Sequence, residues 1–248
     1  MVLRLLARPL ACASLLAFAT VGAGCSKKLT SAPPADDEPA ADASESACVA
    51  DAVDDEPAAT SVGISWLPKT VDHWRDGLER LGASNKVDPE LLAIIVLVES
   101  GGNPVAKSRS GALGLMQIIP LTGKHIATQR KLPEQPKEKL TDPDYNLDFG
   151  SWYIGHQLDF FQVPGDRTRT VELAAAAYNG GPNKLKRHLN GAESLSNETQ
   201  RYMKWVGGMW RERRNPRSTT YQAWWTAGGE RLVREAGTKL TVPVEPPP

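Results

Sequence analysis

The residue with the clearest chemical potential is Glu99, which follows eight consecutive apolar residues, 91–98. A helix without a polar face lies in a protein core or a membrane, and this run is too short to cross a bilayer. The pattern therefore predicts a core helix that carries Glu99 to the edge of the interior. Partial desolvation there would raise the pKa of the carboxyl group, as a general acid at neutral pH requires. Taken alone, the helix favours a plainer interpretation, a helix-end carboxylate turned into water.

Four separated stretches carry the other candidate residues: ESGGNPVA from Glu99, Ser108 with GALGLMQI from Gly111, AYNGGP from Ala177, and ETQRY from Glu198. In this order and spacing they resemble the signature blocks of the soluble lytic transglycosylase catalytic domain, over roughly residues 85–213. The resemblance implies a mainly helical α+β domain with a small β element, lysozyme-like and of the goose-type branch.

The resemblance also implies an activity, cleavage of the β-1,4 bond between N-acetylmuramic acid and N-acetylglucosamine in peptidoglycan. Glu99 would act first as acid and then as base, leaving a 1,6-anhydro-muramic acid end without consuming water. One carboxylate can suffice because the 2-acetamido oxygen of the substrate stabilises the oxocarbenium-like centre, an exception to the usual carboxylate pair. The attacking C6 hydroxyl is part of the same sugar, so the enzyme does not have to bind a separate nucleophile.

By the same resemblance, seven further residues would bind the substrate: Ser108, Met116, Gln117, Tyr178, Asn179, Glu198 and Tyr202. Gln117 would donate to a sugar hydroxyl or acetamide, Met116 would form part of the wall, and Tyr178 would orient the acetamido group or Glu99. Structural explanations compete, since Ser108 suits a loop cap, Asn179 a helix C-cap and Glu198 the first turn of a helix.

Two other functions stay open from the sequence. A hydrolytic muramidase on the same fold would need a second acid, and a non-catalytic peptidoglycan-binding lipoprotein would need no acid at all. Asp142, Asp144 and Asp148 are explained by a helix start. No cofactor or metal is expected, because the four histidines lack metal-ligand spacing.

The elements that must position these residues follow from caps and periodicity. Asp88 and Pro89 open the core helix, and an amphipathic helix with Gly82 as its stop precedes it. The glycine-rich stretch 102–120 predicts a loop with a small hairpin. Further helices are predicted at 121–130, from Asp142-Pro143 to before Pro164, from the cap Thr170 to Tyr178, at Pro182–Leu189, and from the cap Asn197 to Arg214.

The N-terminus has the parts of an export signal, with Arg4 and Arg8 before an apolar run and then small residues before Cys25. This resembles the lipobox of bacterial lipoproteins, with Cys25 lipidated after removal of residues 1–24, although Gly22 stands where an aliphatic residue is usual. Ordinary secretion is the alternative. Cys12 leaves with the signal, so Cys48 is left without a partner unless it pairs with Cys25.

Charge and composition divide the rest of the chain. Residues 25–63 are rich in Ala, Pro and acids, and 29–63 carry nine acids and no base, which predicts a disordered tether. A helical extension, 64–84, the catalytic domain, 85–214, and a C-terminal extension, 215–248, follow.

The mildly basic folded part suits an anionic polymer, and the expected partners are peptidoglycan strands and a membrane reached through Cys25, with no nucleic acid. The cell envelope is the expected location, at the periplasmic face of the outer membrane. A monomer is expected, although the sequence does not determine the oligomeric state.

Overall fold

The computed structural model describes residues 59–133 and 136–248. The predicted signal segment, the lipidation site Cys25, Cys48 and most of the predicted tether lie outside the described residues. The described part is mainly helical with almost no strand, which confirms the predicted class. Its α-helices are α1 Lys69–Asp72, α2 Arg75–Asn85, α3 Pro89–Ser100, α4 Pro120–Gln129, α5 Pro143–Phe160, α6 Arg167–Gly180, α7 Pro182–Leu189, α8 Asn197–Arg211, α9 Thr219–Trp224 and α10 Glu230–Leu240.

Helix α3 is the predicted core helix. The Asp88 carboxylate accepts the Glu90 N–H at 2.9 Å, Pro89 occupies the first turn, and Gly101 ends the helix with φ of +62°. Its aliphatic side chains between Leu91 and Leu97 are at most 1% exposed. Each contributes roughly 1.5–3 kcal/mol of transfer free energy, so this one helix supplies a large share of the apolar burial.

The small β element is also present. Two isolated antiparallel bridges, Lys107 with Leu113 and Leu113 with Ile118, fold the stretch between α3 and α4 back on itself. Its hinge residues Gly111 and Gly114 have φ of +84° and +79°, conformations that favour glycine. A short 3₁₀ helix, Lys137–Thr141, precedes α5.

Several predicted helix boundaries were wrong. The N-terminal amphipathic helix is broken between α1 and α2, and α2 runs past Gly82 to Asn85. Gly82 is needed for close packing, because an added Cβ would lie 2.7 Å from the Val87 carbonyl oxygen.

Two predicted caps shift by one to four residues. Asp166, rather than Thr170, caps α6, and its carboxylate accepts the Arg169 N–H at 2.6 Å. Ser196, rather than Asn197, caps α8 and accepts the Thr199 N–H at 3.2 Å. Helix α8 ends at Arg211 rather than Arg214. Side-chain oxygens at neighbouring positions compete for each cap, and the tertiary packing selects one.

The last residues of the predicted tether belong to the folded part. The Ala59 N–H donates to Asp88 at 2.9 Å, the Val62 N–H to Glu79 at 2.9 Å, and the Gly63 N–H to Glu90 at 2.9 Å. Val62 is 3% exposed. The folded part therefore begins by residue 59, ahead of the boundary predicted at residue 63.

The C-terminal extension forms two helices, α9 and α10, joined by a π-helical turn, Trp225–Gly229. Tyr221, Trp224 and Trp225 are all buried, and Tyr221 stacks on Trp66 from the start of the folded part with ring centroids 5.4 Å apart. Helix α10 packs against α1 and α3. The two ends of the folded chain thus meet behind the core helix.

None of the helices in the described ranges combines the length and apolar character that a bilayer crossing requires.

Candidate active site

A cavity of about 180 Å³ lies at the C-terminal end of α3. It brings together residues from the loop before α4, from α5, from the end of α6 and from the start of α8. Its walls are Glu99, Ser108, Ser110, Ala112, Gln117, Ile118, Ile119, Thr122, Tyr153, Tyr178, Asn179 and Glu198. Six of the eight residues predicted for the site line the cavity: Glu99, Ser108, Gln117, Tyr178, Asn179 and Glu198. Met116 and Tyr202 do not line it.

Glu99 is half-buried in the last turn of α3 and faces this cavity. Desolvation raises the pKa of its carboxyl group to about 8, a nearby Tyr202 hydroxyl lowers it, and the negative charge of Glu198 raises it. At neutral pH most of the Glu99 population therefore carries a proton. A protonated carboxyl group in a cavity is the group that general-acid catalysis requires.

Tyr202 lies behind Glu99 rather than in the cavity wall. It is 6% exposed, and its hydroxyl is buried without a hydrogen-bond partner within the described ranges. The hydroxyl is still close enough to Glu99 to lower the pKa of that carboxyl. The contact does not have the geometry of a full hydrogen bond in this structure. A carboxylate at Glu99 would strengthen it, because a charged acceptor makes the stronger bond.

The hydroxyl group of Tyr178 is already engaged in a hydrogen bond within the protein. It donates to the Met116 carbonyl at 2.8 Å, and the ring lies against Tyr153 with centroids 5.4 Å apart. Burial, followed by the charge of Glu99, raises the pKa of Tyr178 well above its usual value, so the phenol stays protonated. Tyr178 therefore lines the cavity, and its hydroxyl fixes the loop.

The prediction that Met116 forms part of the substrate wall was wrong. Its side chain is fully buried in the core, and an added Cβ on Gly150 would lie 2.3 Å from its sulfur. An unbranched thioether suits so narrow a space against a helix backbone. Met116 contributes through its backbone, since its carbonyl holds Tyr178 and its N–H donates to Asn146 at 2.7 Å.

Gln117 lines the cavity, but the donor role predicted for its amide was wrong. The amide nitrogen already donates to the carbonyls of Ala106 at 3.2 Å and Gly114 at 2.9 Å. Both acceptors are carbonyls, so the nitrogen must face them, and the amide can meet a ligand only through its oxygen. The backbone of Gln117 has φ of +48°, a conformation uncommon outside glycine that the loop imposes here.

Ser108 has the loop-cap role that the sequence left open, and it also lines the cavity. Its hydroxyl accepts the Ala112 N–H at 2.9 Å and lies 2.9 Å from the Ser110 hydroxyl, and both serines line the cavity. The loop cap thus orients two hydroxyl groups toward the space beside Glu99.

Asn179 and Glu198 form the opposite wall. Asn179 lies inside α6, which continues to Gly180, so the predicted helix-cap alternative for Asn179 was wrong. Its side-chain oxygen accepts the Thr199 hydroxyl at 2.9 Å, which joins α6 to α8. This bond leaves the amide N–H groups for another acceptor. Glu198 is exposed at the cavity edge in the first turn of α8.

Six lining residues were not among those predicted from the sequence: Ser110, Ala112, Ile118, Ile119, Thr122 and Tyr153. Ser110 stands two residues after Ser108 in an irregular loop, and this spacing was the available signal. Ile119 is 43% exposed, an unusual exposure for an isoleucine at the entrance of a polar cavity. Tyr153 lies in the middle of α5, and nothing in its local pattern distinguishes it from a core tyrosine.

A larger cavity of about 530 Å³ lies against another side of α4, among Pro120, Lys124 and Tyr145. No carboxylate stands among the described residues that line it, so it offers no proton donor for glycoside chemistry. Within the described ranges, no group of three or more His, Cys, Asp or Glu side chains has the arrangement of a metal site. The chemistry is therefore assigned to the smaller cavity with Glu99.

The fold and this cavity agree with what the chain is related to. Residues 78–201, half of the chain, match the family model of the transglycosylase SLT domain, and the chain belongs to that family. This membership confirms the lysozyme-like class that the motifs predict, while the goose-type branch stays a prediction.

Among curated relatives, the chain is 35% identical over 123 residues to "Membrane-bound lytic murein transglycosylase E" of Buchnera aphidicola, across 48% of this chain and 56% of that protein. It is 38% identical over 88 residues to "Endo-type membrane-bound lytic murein transglycosylase A" of Klebsiella pneumoniae, across 35% and 43% of the two chains. The chain thus spans about half the length of these relatives. The 70 kDa soluble lytic transglycosylase of Escherichia coli is 26% identical with a TM-score of 0.48, over 55% of this chain and 24% of that one.

Proposed function

We propose that the protein is a peptidoglycan lytic transglycosylase that cleaves the β-1,4 bond between N-acetylmuramic acid and N-acetylglucosamine, with Glu99 as acid and then base. The observation that carries this proposal is a carboxyl group with a pKa of about 8 in a cavity wall. Family membership and the names of the curated relatives support the substrate class.

The first half of the reaction uses the protonated form of Glu99. Its proton passes to the glycosidic oxygen while the bond from that oxygen to C1 of the muramic acid breaks. Positive charge develops at C1, where the 2-acetamido oxygen of the same sugar stabilises it. Glu99 is the group in the cavity with a pKa near neutrality, so it both holds a proton at pH 7 and can release it.

The second half uses the Glu99 carboxylate. It accepts the proton of the C6 hydroxyl while the C6 oxygen bonds to C1, which closes the 1,6-anhydro ring and returns Glu99 to its starting state. The buried Tyr202 hydroxyl supports this half of the reaction, because it can donate a hydrogen bond to the Glu99 carboxylate once that group has given up its proton. The nucleophile is held within the substrate, so no water site is needed.

The polar walls suit an acetamido sugar. The Gln117 side-chain oxygen can accept a hydrogen bond from an amide N–H or a hydroxyl, and the Asn179 amide can donate one. The hydroxyl groups of Ser108 and Ser110 can donate or accept. The ring of Tyr178 gives a flat apolar surface beside them. Donors, acceptors and an aromatic face in one cavity support recognition of a sugar that carries both hydroxyl and amide groups.

The test is the product spectrum. Purified peptidoglycan digested by the protein is expected to release fragments with anhydro-muramic acid ends, each 18 Da lighter than a hydrolysis product because one water is absent. Glu99→Gln keeps the shape of the side chain and is expected to release none. Asp144→Asn, an exposed acid outside the cavity, is the matched control and should leave the spectrum unchanged. Reducing ends alone from the wild-type protein would overturn the transglycosylase reaction.

A hydrolytic muramidase is the second candidate, and one observation favours it: Glu198 is a second carboxylate in the same cavity. In that reaction Glu198 would activate a water molecule and the product would gain an oxygen from solvent. Digestion in ¹⁸O-labelled water separates the two functions. Labelled reducing ends that disappear with Glu198→Gln would establish hydrolysis.

We infer that the protein acts in the cell envelope, held at a membrane by lipid on Cys25 at the periplasmic face of the outer membrane. The lipobox-like sequence supports the anchor, and two relatives are named as membrane-bound. Cys25→Ser is expected to block incorporation of labelled palmitate and move the protein to the soluble fraction. Continued membrane fractionation without label would overturn the anchor.

A further inference from the structure

The three residues after Glu99 are held by parts of the chain that lie outside the matched family region, 78–201. Ser100, Gly101 and Gly102 form the turn that leaves α3. Helix α1 with Trp74 contacts this turn at Gly102, and helix α10 contacts it at Gly101. We call these two elements the clamp.

The contacts of the clamp with the turn are close enough to require glycine. An added Cβ on Gly102 would lie 2.2 Å from the Thr70 carbonyl oxygen in α1. An added Cβ on Gly101 would lie 2.6 Å from the Leu232 carbonyl carbon in α10. Both glycines have positive φ, +62° and +92°. Backbone therefore packs directly on backbone, and neither contact leaves room for a shift of the turn toward the clamp.

Directed hydrogen bonds fix the turn as well. The Trp74 indole N–H donates to the Gly102 carbonyl at 2.9 Å. The Ser100 hydroxyl donates to the Leu115 carbonyl at 2.7 Å and accepts the Gly102 N–H at 3.2 Å. Leu115 immediately precedes Met116, whose carbonyl holds Tyr178. The turn is thus tied to the clamp behind it and to the cavity loop in front of it.

The two elements of the clamp also pack on each other. Thr70 in α1 and Val233 and Ala236 in α10 have no exposed surface, and an added Cβ on Gly237 would lie 3.7 Å from the Thr70 methyl group. A packed interface between the chain's two extensions resists displacement as a unit, because interiors of this density do not deform freely.

We propose that the clamp positions Glu99, so that Trp74 and α10 are positioning elements of the active site although they lie outside the matched catalytic region. The consequence for catalysis depends on the proposed function; the consequence for the ionisation of Glu99 does not. A displaced acid loses rate steeply, since about 1 Å of misplacement can cost about a hundredfold. A loosened turn also admits water to the carboxyl group and lowers its pKa.

Trp74→Phe tests the proposal, because it removes the N–H donor and keeps most of the ring. The matched control is Trp66→Phe, which loses an indole bond of similar kind, to the Glu212 carbonyl at 3.2 Å, away from the turn. Trp74→Phe is expected to lower kcat about tenfold with little change in KM. It should also lower the titration midpoint of Glu99 by about one pH unit from the wild-type value. Trp66→Phe should keep kcat within about twofold, and the titration midpoint of Glu99 within about a few tenths of a pH unit, of the wild-type values.

The midpoint is read by NMR titration of ¹³C-labelled glutamate carboxyl groups without substrate, with the Glu99 signal assigned by its loss in Glu99→Gln. Val233→Ala, which loosens α10 and leaves the Trp74 bond intact, is the second variant and should shift the midpoint in the same direction. An unchanged midpoint in both variants, or an equal shift in Trp66→Phe, would overturn the proposal. If the wild-type protein forms no anhydro ends, the proposed function fails while the midpoint still decides the role of the clamp.

Discussion

Helix α3 carries a glutamate near each end, Glu90 fully buried and Glu99 half-buried, and the surroundings of the two carboxyl groups differ. Glu90 is 0% exposed, yet Arg214 lies 2.6 Å from one carboxylate oxygen, Arg213 3.5 Å from the other, and the Gly63 N–H donates at 2.9 Å. Glu99 receives no cation among the causes that set its pKa, and its neighbour Glu198 is negative. Desolvation raises the pKa of both, but opposing charges act against it only at Glu90.

This difference separates a structural acid from a chemical one. The ion pairs at Glu90 join the start of the folded part, the core helix and the segment after α8, so this carboxylate organises the fold. At Glu99 no cation is among the causes that offset the cost of desolvation, and the raised pKa leaves a proton on this carboxyl group near pH 7. Glu90 and Glu99 are the same residue type in the same helix, and the charges around each carboxyl group determine its role.

The largest expected effect is on activity at the cavity end of the helix. Glu99→Gln removes the transferable proton and is expected to lower kcat by about 10³-fold, the scale of a lost general acid and base. Turnover of peptidoglycan followed by release of soluble fragments measures it. Retention of more than a tenth of the wild-type rate would contradict the assignment of Glu99.

The other end of the helix should respond in stability rather than in chemistry. Glu90→Gln removes the buried carboxylate that faces Arg213 and Arg214, and is expected to reduce the free energy of unfolding by about 3 kcal/mol. Urea denaturation at pH 7 measures the loss. A variant that unfolds at the wild-type midpoint would remove the distinction between the two glutamates.

The pH dependence of stability gives a third contrast. The folded-state pKa of Glu99, about 8, is raised above its ordinary value of 4.5, so the protein binds this proton more tightly when folded. Relative to Glu99→Gln, the wild-type stability is fully present below pH 4.5 and declines up to about pH 8, by at most about 1.4 kcal/mol per pH unit. Denaturation of both proteins at pH 5 and pH 8 measures this decline. If the wild-type free energy of unfolding does not fall relative to that of Glu99→Gln between these pH values, the raised pKa is contradicted.

Activity should follow the same proton. The rate is expected to fall as pH rises through about 8, because Glu99 then loses the proton it donates. Tyr202→Phe removes a hydroxyl that lowers the pKa of Glu99, so the falling limb of the pH–rate profile should move to higher pH, with a rate loss of about tenfold or less.

The smallest expected effect comes from the neighbouring charge. The carboxylate of Glu198 raises the pKa of Glu99, so Glu198→Gln should move the same limb to lower pH by a fraction of a unit. The effect should shrink at high salt, because Glu198 is exposed and its charge is screened. If the falling limb of the pH–rate profile moves in the same direction in Tyr202→Phe and Glu198→Gln, the two substitutions perturb the site by a route other than electrostatics.

The sequence alone determined the core helix and its acid. Eight apolar residues with a cap before them predict a buried helix that ends at Glu99, and the resemblance of the motif blocks adds the role of Glu99 as the acid. The four motif blocks also located the cavity walls at Ser108, Gln117, Tyr178, Asn179 and Glu198. These assignments succeeded because they depend on local pattern and on the order of blocks along the chain.

The tertiary structure decided everything that depends on contacts between distant residues. It turned the Met116 side chain into the core, committed the Gln117 nitrogen to the loop, and placed Tyr153 in the cavity. It also joined the two extensions behind Gly101 and Gly102. The direction of a side chain and the charge near it are set by residues tens to more than a hundred positions away, and the local sequence holds no record of them. The same long-range contacts place Glu90 beside two arginines, whereas no cation is among the causes that set the pKa of Glu99.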